Sequence, residues 1–220
     1  MFAGSLVFFI VSYAWRFGGV VPWSAATVSR PTLIDAAMFS LFALHHSLFA
    51  RSGARAWIAR HVAPGLERSV YVWVASILFL LVCWFWRIVP GMAWHVTGAS
   101  AITVQLLQAS GAVLAVVSAK RFNLLELAGV RQAFSHGAEP PVRLDRGPYS
   151  LVRHPIYLGW FAMVWGAPVM NGTRLVFAVI SCVYLLMAIP FEERDLRRAF
   201  GAPYETYIQR VRWRIIPGVY

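Results

Sequence analysis

Two short segments of the chain carry charged groups of opposite sign, and together they could hold a ligand that has both a carboxylate and positive charge. The first is the stretch 147–159, GPYSLVRHPIYLG, which contains Arg153 and His154. The second is the acidic pair Glu192 and Glu193. We expect the basic segment to attract the anionic part of such a ligand and the acidic pair to attract its cationic part.

The basic segment precedes an apolar helix. Pro155 marks the first turn of that helix, because proline lacks the N–H group that has no partner at a helix start, and His154 is then the N-cap. The unpaired N–H groups of such an end attract anions, and Arg153 adds a fixed positive charge. Tyr149 and Tyr157 supply hydroxyls and aromatic rings at the same level. The sequence therefore predicts an anion-binding helix start.

The next helix brings the acidic pair back to the same end. Asn171 and Gly172 are a turn signal, after which a second apolar stretch runs to Glu192 and Glu193. The cationic and anionic ends are then expected to face each other across a short gap. In the alternative interpretation Arg153 reaches lipid phosphates and the glutamates form ion pairs on their own helix. The arginines available for such pairs are Arg194, Arg197 and Arg198. The residues alone leave both interpretations open.

The composition places both segments in a membrane protein. Of the 220 residues, 59% are hydrophobic and 13% are charged, and the mean hydropathy is +0.61, which is too apolar for an ordinary soluble domain. The apolar blocks are continuous rather than alternating, which favours helices over a barrel. These blocks are 1–15, 31–50, 70–89, 101–119, 155–170 and 175–191. We predict an all-α polytopic membrane protein with about six transmembrane helices, of which the first and fifth are short.

The distribution of charge predicts the orientation. The net charge is +11, and most of the 20 basic residues lie in the segments 51–68, 120–153 and 194–214. Placing these segments in the cytoplasm satisfies the positive-inside bias and puts both termini inside. The positive charge is then explained by topology and by anionic lipid headgroups, and no basic soluble module remains to bind nucleic acid. The basic residues left for the outer side are Arg16, Arg30, Arg87 and Arg174.

We expect one integrated membrane domain with two regions. Residues 1–119 form the N-terminal transmembrane helices, and residues 120–220 form a connector, the helical hairpin and the C-terminal segment around the ligand site. The connector 120–146 mixes apolar and charged residues. This mixture fits an amphipathic helix that caps the site from the membrane surface, and it fits a solvated connector equally well.

Two histidines and two cysteines lie inside apolar blocks. His45 and His46 are adjacent, so they point about 100° apart around a helix, which does not suit two ligands of one metal ion without a partner elsewhere. We favour hydrogen bonding or a supporting role in a pocket for them, and we predict no metal site. Cys83 and Cys182 have neither metal nor redox spacing and are interpreted as packing residues.

The segment GPYSLVRHPIYLG, followed by EERDLRRAFGAPYETYIQRV and a closing Ile216-Pro217, resembles the signature of the isoprenylcysteine carboxyl methyltransferase and phospholipid methyltransferase superfamily. The resemblance covers roughly the last third of the chain, and its two halves have the right order and separation. The segments HHSLFAR, ERSVYVW, GVRQAF and WGAPVM resemble the bacterial methanethiol S-methyltransferase-like members. The resemblance implies an integral membrane enzyme that uses S-adenosylmethionine. With the orientation predicted from the charge distribution, we expect it in the bacterial inner membrane with its site facing the cytoplasm.

The resemblance also implies which residues line the cofactor site. The His-Pro-x-Tyr segment, the tyrosine of the preceding Gly-x-Tyr, an upstream leucine and glutamine, and Glu193 with its neighbour correspond to the cofactor-contacting positions of the family. A cofactor with a carboxylate, an ammonium and a sulfonium group also suits the electrostatic argument for Arg153. No catalytic residue is assigned. The expected cofactor-binding residues are Gln132, Leu144, Tyr149, Arg153, His154, Pro155, Ile156, Tyr157, Glu192 and Glu193.

One departure from the family pattern bears on the methyl acceptor. Prenylcysteine enzymes resemble one another in carrying an arginine about a turn before the acidic pair, where it can hold the carboxylate of the substrate. Here that turn reads Ala188, Ile189, Pro190. We therefore expect a small or lipophilic nucleophile, first of all a thiol. The alternatives are a carboxyl or phospholipid N-methyltransferase and a non-catalytic membrane protein of the same fold. The basic groups that could favour a thiolate are Arg131, Arg153 and His46.

Overall fold

The computed structural model describes residues 1–23, 25–49, 51–63, 66–120 and 147–220, and most of them are helical. The helices are α1 (Phe2–Ala14), α2 (Ala25–Phe49), α3 (Ser52–Ile58), α4 (Glu67–Phe85), α5 (Gly98–Ala119), α6 (Pro155–Trp165), α7 (Gly172–Phe200) and α8 (Ala202–Arg210). Two short 3-10 turns, Arg16–Gly18 and Gly147–Ser150, and two strands, β1 (Met92–His95) and β2 (Val169–Asn171), complete the described structure. The prediction of a mostly helical protein is confirmed, with a small two-stranded ribbon added to it.

Four of the described helices are long and apolar enough to cross a membrane. These are α2 from Val28 onward, α4, α5 and α7. Two shorter apolar helices, Phe2–Gly18 and Pro155–Trp165, correspond to the first and fifth blocks, which the sequence already marked as short. The integral membrane class is thus supported, while six full crossings and the orientation of the termini stay predictions.

Several helices differ in length from the apolar blocks that predicted them. Helix α2 begins at Ala25 and contains Pro31, and α7 continues through Pro190 to Phe200. Proline is tolerated inside membrane helices because neighbouring groups satisfy the backbone that it frees. Helix α6 ends at Trp165, because Pro168 and β2 follow before the chain reaches α7. Because α7 extends to Phe200, the acidic pair lies within this helix rather than after it.

The chain forms two compact units, and the first combines Met1–His95 with Val169–Ile180. Its core is a cluster of aromatic rings around Phe177, which is fully buried. The ring centroid of Phe177 lies 5.2 Å from that of Phe9, 5.5 Å from that of Phe17 and 5.1 Å from that of Trp86. Such aromatic contacts bury large apolar areas at favourable ring geometries.

The two strands of the first unit pair antiparallel. Met92 faces Asn171 and His95 faces Val169, with an irregularity between Met92 and Trp94. The buried Asn171 side chain fixes the neighbouring loop, because its Nδ2 donates to the carbonyl oxygens of Phe17 and Gly19, both at 2.7 Å. The ribbon thus anchors the start of α7.

The second unit contains the described residues of 96–120 and 147–168 together with Ser181–Tyr220. Helices α5 and α6 pack closely because small residues lie between them: a Cβ atom placed on Gly111 would lie only 2.6 Å from the Gly159 carbonyl oxygen. Gln108 Nε2 also donates to the Met163 carbonyl at 2.9 Å. Small residues with interhelical hydrogen bonds are the usual means of close helix contact in membranes. This packing fixes α6, whose first residues carry the predicted site.

Candidate active site

The predicted helix start is confirmed. Pro155 is the first residue of α6, and His154 is its N-cap. The chain just before the helix is held by the segment that follows α8, since the Arg153 N–H donates to the Trp213 carbonyl at 2.9 Å and the His154 N–H donates to the Arg214 carbonyl at 2.8 Å. The C-terminal residues thus form one wall of the site.

Arg153 is an internal link between α7 and that C-terminal segment. Its Nε donates to Glu193 Oε1 at 2.7 Å. Its Nη1 donates to the carbonyl oxygens of Val211 at 2.9 Å and Arg212 at 2.7 Å. The side chain is almost fully buried. Its guanidinium group therefore holds the C-terminal segment in place and also neutralises the charge of Glu193.

Glu193 lies among three basic groups and is fully buried. Beside Arg153, Arg214 Nε donates to Oε2 at 3.3 Å, and His154 Nε2 lies 3.5 Å from Oε1. Burial alone would lower the pKa of Arg214, but the charge of Glu193 outweighs it and raises that pKa above its usual range. A buried carboxylate needs such partners, because an unpaired charge in this environment is strongly unfavourable.

The expected gap between cationic and anionic ends is therefore wrong, because Arg153 and Glu193 are in direct contact. The alternative interpretation, in which the acidic pair binds arginines of its own helix, does not describe Glu193 either, because two of those arginines pair with other acids. Arg197 pairs with Glu205 at 3.0 Å, and Arg198 lies 3.7 Å from Asp195. A buried pair forms because the chain after α8 returns to cover Glu193 with Arg214.

Glu192, the other member of the acidic pair, keeps an accessible side chain that is 45% exposed. Its Oε1 accepts a hydrogen bond from the Tyr157 hydroxyl, and its Oε2 lies 3.5 Å from His154 Nδ1. The His154 and Tyr157 rings stack at 5.3 Å. The first turn of α6 thus holds one oriented carboxylate at an accessible surface.

Three buried tyrosines lie beneath this surface. The Tyr207 hydroxyl donates to the Tyr149 carbonyl at 2.8 Å. Burial raises the pKa of Tyr149 and of Tyr207 well above the usual range, and it raises the pKa of Tyr204 to about 12. All three are therefore neutral at physiological pH and serve as packing groups, and Tyr207 also links to Tyr149 through its hydrogen bond.

Comparison with known proteins identifies the family. Residues 95–203 match the phospholipid methyltransferase family. The chain is 38% identical to methanethiol S-methyltransferase 1 of Bradyrhizobium diazoefficiens, over 95% of this chain and 78% of the relative. It is 34% identical to the methanethiol S-methyltransferase of Mycobacterium tuberculosis, over 95% and 91%, and 30% identical to nurim of Rattus norvegicus, over 80% and 73%. No solved structure matches it significantly.

The chain belongs to the methanethiol S-methyltransferase group of the phospholipid methyltransferase superfamily. The resemblance seen in its motifs is thereby confirmed, and the chain is a membrane methyltransferase. The matched range 95–203 contains the start of α6 and the acidic pair, but it ends before Arg214.

The structure brings together eight of the ten residues that the sequence assigned to this methyltransferase's cofactor site. Pro155 is buried at the first position of α6, and Ile156 is half-buried beside it. Gln132 and Leu144 lie outside the described residues, as does Arg131, the candidate for favouring a thiolate. The cofactor-binding role of all ten residues stays a prediction. The eight described residues are Tyr149, Arg153, His154, Pro155, Ile156, Tyr157, Glu192 and Glu193.

Sequence reasoning missed Arg214. This residue contacts Glu193 from 21 positions further along the chain and stacks on Tyr220, with its guanidinium carbon 5.1 Å from the ring centroid. No helical spacing links it to the acidic pair, because the contact depends on how the chain turns back after α8. The only available signal was its position in the basic segment 194–214, which topology already explained.

The charged groups of this site suit a ligand that carries both an ammonium and a carboxylate. Glu192 is an accessible carboxylate whose orientation is fixed by Tyr157, and it can accept hydrogen bonds from an ammonium group. Arg214, whose side chain is 33% exposed, offers positive charge nearby. Arg153 offers less than the sequence indicated, since its Nε and Nη1 are already engaged.

Proposed function

We propose that this methyltransferase moves the methyl group of S-adenosylmethionine to a small thiol, with methanethiol as the first candidate. The observation that carries the proposal is the accessible Glu192 carboxylate, which Tyr157 and His154 hold in place above the buried Arg153–Glu193 pair. The relatives named methanethiol S-methyltransferase support the choice of a thiol. When bound, the cofactor supplies an electrophilic methyl group on a sulfonium.

The residues of the site act through binding and orientation. Glu192 accepts hydrogen bonds from the ammonium of the cofactor, and Arg214 with the start of α6 attracts its carboxylate. Glu193 holds Arg153 and Arg214 in place. Correct alignment of nucleophile and methyl group can supply much of the rate of such an in-line displacement.

The acceptor side fits a nucleophile without a carboxylate. On the turn of α7 before the acidic pair, Ala188, Ile189 and Pro190 carry no cation, and Ile189 is fully buried. A thiol reacts as the thiolate. Its sulfur forms the new bond to the methyl carbon, the methyl carbon leaves the sulfonium, and the thiol proton passes to solvent. The products are a thioether and S-adenosylhomocysteine.

For the whole molecule we propose six membrane crossings with both termini in the cytoplasm of a bacterial cell. The basic segments support this orientation through the positive-inside bias. The candidate site then faces the cytoplasm, where the cofactor is made, and a small apolar thiol reaches it from the bilayer. A cysteine-accessibility map in whole cells would test the orientation, with labelling at position 220 from outside as the contrary result.

The activity is tested with the full chain purified in detergent and with methyl-labelled S-adenosylmethionine. Methanethiol, a prenylcysteine, an isoprenoid acid and phosphatidylethanolamine are offered separately. We expect label in dimethyl sulfide from methanethiol and loss of that product in Glu192→Ala. No labelled product from any acceptor, in protein that still binds S-adenosylhomocysteine, would contradict the proposal.

Phospholipid methylation is the second candidate, because residues 95–203 match the family of that name. The acceptor would then be the amine of a phospholipid headgroup. Label that accumulates in the phosphatidylethanolamine sample, and not in the methanethiol sample, would favour this activity over thiol methylation.

A further inference from the structure

A basic cavity lies in the first unit, and its lining includes none of the proposed cofactor-binding residues. It forms where α1 ends, α2 begins, α4 ends and α7 begins, and its volume is about 640 Å³. Three arginines line it, namely Arg16, Arg30 and Arg87, together with apolar walls that include Phe17, Ile34 and Trp86. The cavity therefore combines positive charge with an aromatic and aliphatic surface.

These arginines account for three of the four basic residues that fall outside the three basic segments of the sequence. The fourth, Arg174, is fixed by the backbone: its guanidinium donates to the carbonyl oxygens of Tyr13, Ala14 and Val169 at 2.7–3.1 Å. Arg174 thus has a structural role. The other three gather at one cavity, although the positive-inside bias disfavours basic residues at this end of the helices.

The arginines of the cavity keep donors available. Arg16 is held at the rim, where its Nη2 donates to the Trp84 carbonyl at 2.8 Å and its guanidinium lies 5.1 Å from the Trp84 ring centroid. The side chains of Arg30 and Arg87 are exposed and donate no hydrogen bond to any residue that the structure describes. Two guanidinium groups can therefore bind a ligand without breaking a contact.

The charge balance also favours an anion. Asp35 is buried close by, and its Oδ1 accepts a hydrogen bond from the Arg87 backbone N–H at 2.9 Å. Three arginines against this one carboxylate leave two positive charges in surplus. Guanidinium groups match the geometry of phosphate oxygens and bind them in pairs.

We propose that this cavity binds a phosphate group, and the volume and apolar lining of the cavity favour the phosphodiester of an anionic phospholipid over free phosphate. Its volume falls within the roughly 300–1,000 Å³ of small-molecule sites, which is more than an inorganic phosphate needs. The apolar walls provide a surface for the glycerol and the first carbons of the acyl chains.

The test uses the full chain in mixed micelles and measures retained lipid by native mass spectrometry. Phosphatidylglycerol and phosphatidylcholine are offered in competition. The variant is Arg30→Gln with Arg87→Gln, because these side chains make no hydrogen bond with described residues and their loss leaves the Asp35 contact to the Arg87 backbone intact. The matched control, Arg60→Gln with Arg198→Gln, removes two exposed arginines elsewhere.

We expect the wild type and the control to retain phosphatidylglycerol, and the cavity variant to bind it at least about tenfold more weakly, as the loss of two charge-assisted contacts implies. Equal retention by wild type and cavity variant, or equal loss in the control, would overturn the proposal. Thermal unfolding without lipid shows that each variant is folded. If the double variant is unfolded, Arg30→Gln alone is used, with a several-fold loss of retention expected and unchanged retention counting against the site.

A second arm separates the two sources of phosphate. Excess inorganic phosphate is added to lipid-free wild type and to the cavity variant, and the melting temperature is measured. If the anion stabilises the wild type but not the variant, and displaces retained lipid, the site is a phosphate site open to a free anion. If it does neither while lipid retention depends on Arg30 and Arg87, the occupant is the phospholipid.

Discussion

Arg153 Nε lies 2.7 Å from Glu193 Oε1, and the two side chains are only 6% and 1% exposed. The neighbouring Glu192 is accessible and bonds instead to Tyr157. Two adjacent carboxylates of α7 thus have different environments, one inside an ion-pair network and one at the surface of the site. We therefore expect Glu193 to contribute mainly to the stability of the protein and Glu192 mainly to ligand binding.

Glu193→Gln is expected to destabilise the protein. The substitution leaves Arg153 buried without its counter-ion, and breaking one side of a buried ion pair costs about 3 kcal/mol or more. The melting temperature of the purified chain should fall clearly below that of the wild type. Glu192→Gln is the matched control, because the same change on the accessible neighbour should alter stability by less than about 1 kcal/mol. Equal losses in the two variants would show that Glu193 is not the centre of the network.

Glu192→Ala is expected to weaken binding of the methyl donor without unfolding the protein. Loss of a charge-assisted hydrogen bond costs about 1.5–3 kcal/mol, which corresponds to a rise in Kd of about tenfold to a hundredfold. Isothermal titration with S-adenosylhomocysteine measures this rise directly. Asp195→Ala removes another exposed acid of the same helix, whose partner Arg198 lies at 3.7 Å, and should leave Kd unchanged. A similar rise in both variants would indicate a general effect of charge.

Gly111→Ala is expected to separate α5 from α6. The added Cβ would lie 2.6 Å from the Gly159 carbonyl oxygen and 2.6 Å from the Met163 nitrogen, and backbone atoms cannot move aside as a side chain can. Overpacking of this kind costs about 1–3 kcal/mol, against a gain in helix propensity of about 1 kcal/mol. Thermal unfolding and methyl transfer should both decline.

Gly4→Ala is the control for that substitution. Gly4 also lies in a helix, but nothing is within 4 Å of its added Cβ. The variant should be as stable as the wild type or slightly more stable. If Gly111→Ala behaves in the same way, close contact between α5 and α6 does not determine the stability of this unit.

The helix start of the site could be predicted because its signal is local. Proline at position 155 fixes its own φ angle and has no backbone N–H that would need a partner. Residues 153–157 were therefore sufficient to predict the N-cap of the helix. Hydropathy likewise located the apolar helices, since burial in lipid leaves a continuous pattern. Helix ends were less predictable: α7 runs on to Phe200 because polar residues can continue a helix beyond the membrane.

The contacts that complete the site could not be predicted, because they join distant parts of the chain. Arg214 reaches Glu193 only after the chain has turned back past α8. Strand β1 pairs with β2 although neither segment shows a strand pattern, and Arg153 donates to carbonyl oxygens that no motif marks. Charge alone indicated attraction between the two ends, but not whether a ligand or an ion pair would satisfy it.

Tyr207→Phe is expected to change stability in opposite directions at neutral and alkaline pH. At neutral pH the variant loses the 2.8 Å hydrogen bond to the Tyr149 carbonyl, at a cost of about 1 kcal/mol. Burial holds the pKa of Tyr207 well above its usual range in the folded protein, whereas in the unfolded chain tyrosine ionises near about pH 10. Above that pH the unfolded state binds fewer protons, so wild-type stability falls as pH rises. The phenylalanine variant has no hydroxyl to ionise at this position, so its stability does not fall in this way. The difference in stability between wild type and variant should therefore shrink or reverse above about pH 10.

Tyr204→Phe tests the effect of tyrosine ionisation on stability without the loss of a hydrogen bond. Tyr204 is buried as deeply, burial raises its pKa to about 12, and its hydroxyl makes no hydrogen bond with a described residue. This variant should therefore match the wild type at neutral pH and exceed it between about pH 10 and pH 12. Melting temperatures measured across that range, with tyrosinate absorbance as a record of ionisation, provide the comparison. Parallel curves for all three proteins would mean that the tyrosines beneath the site ionise as readily in the folded state as in the unfolded chain.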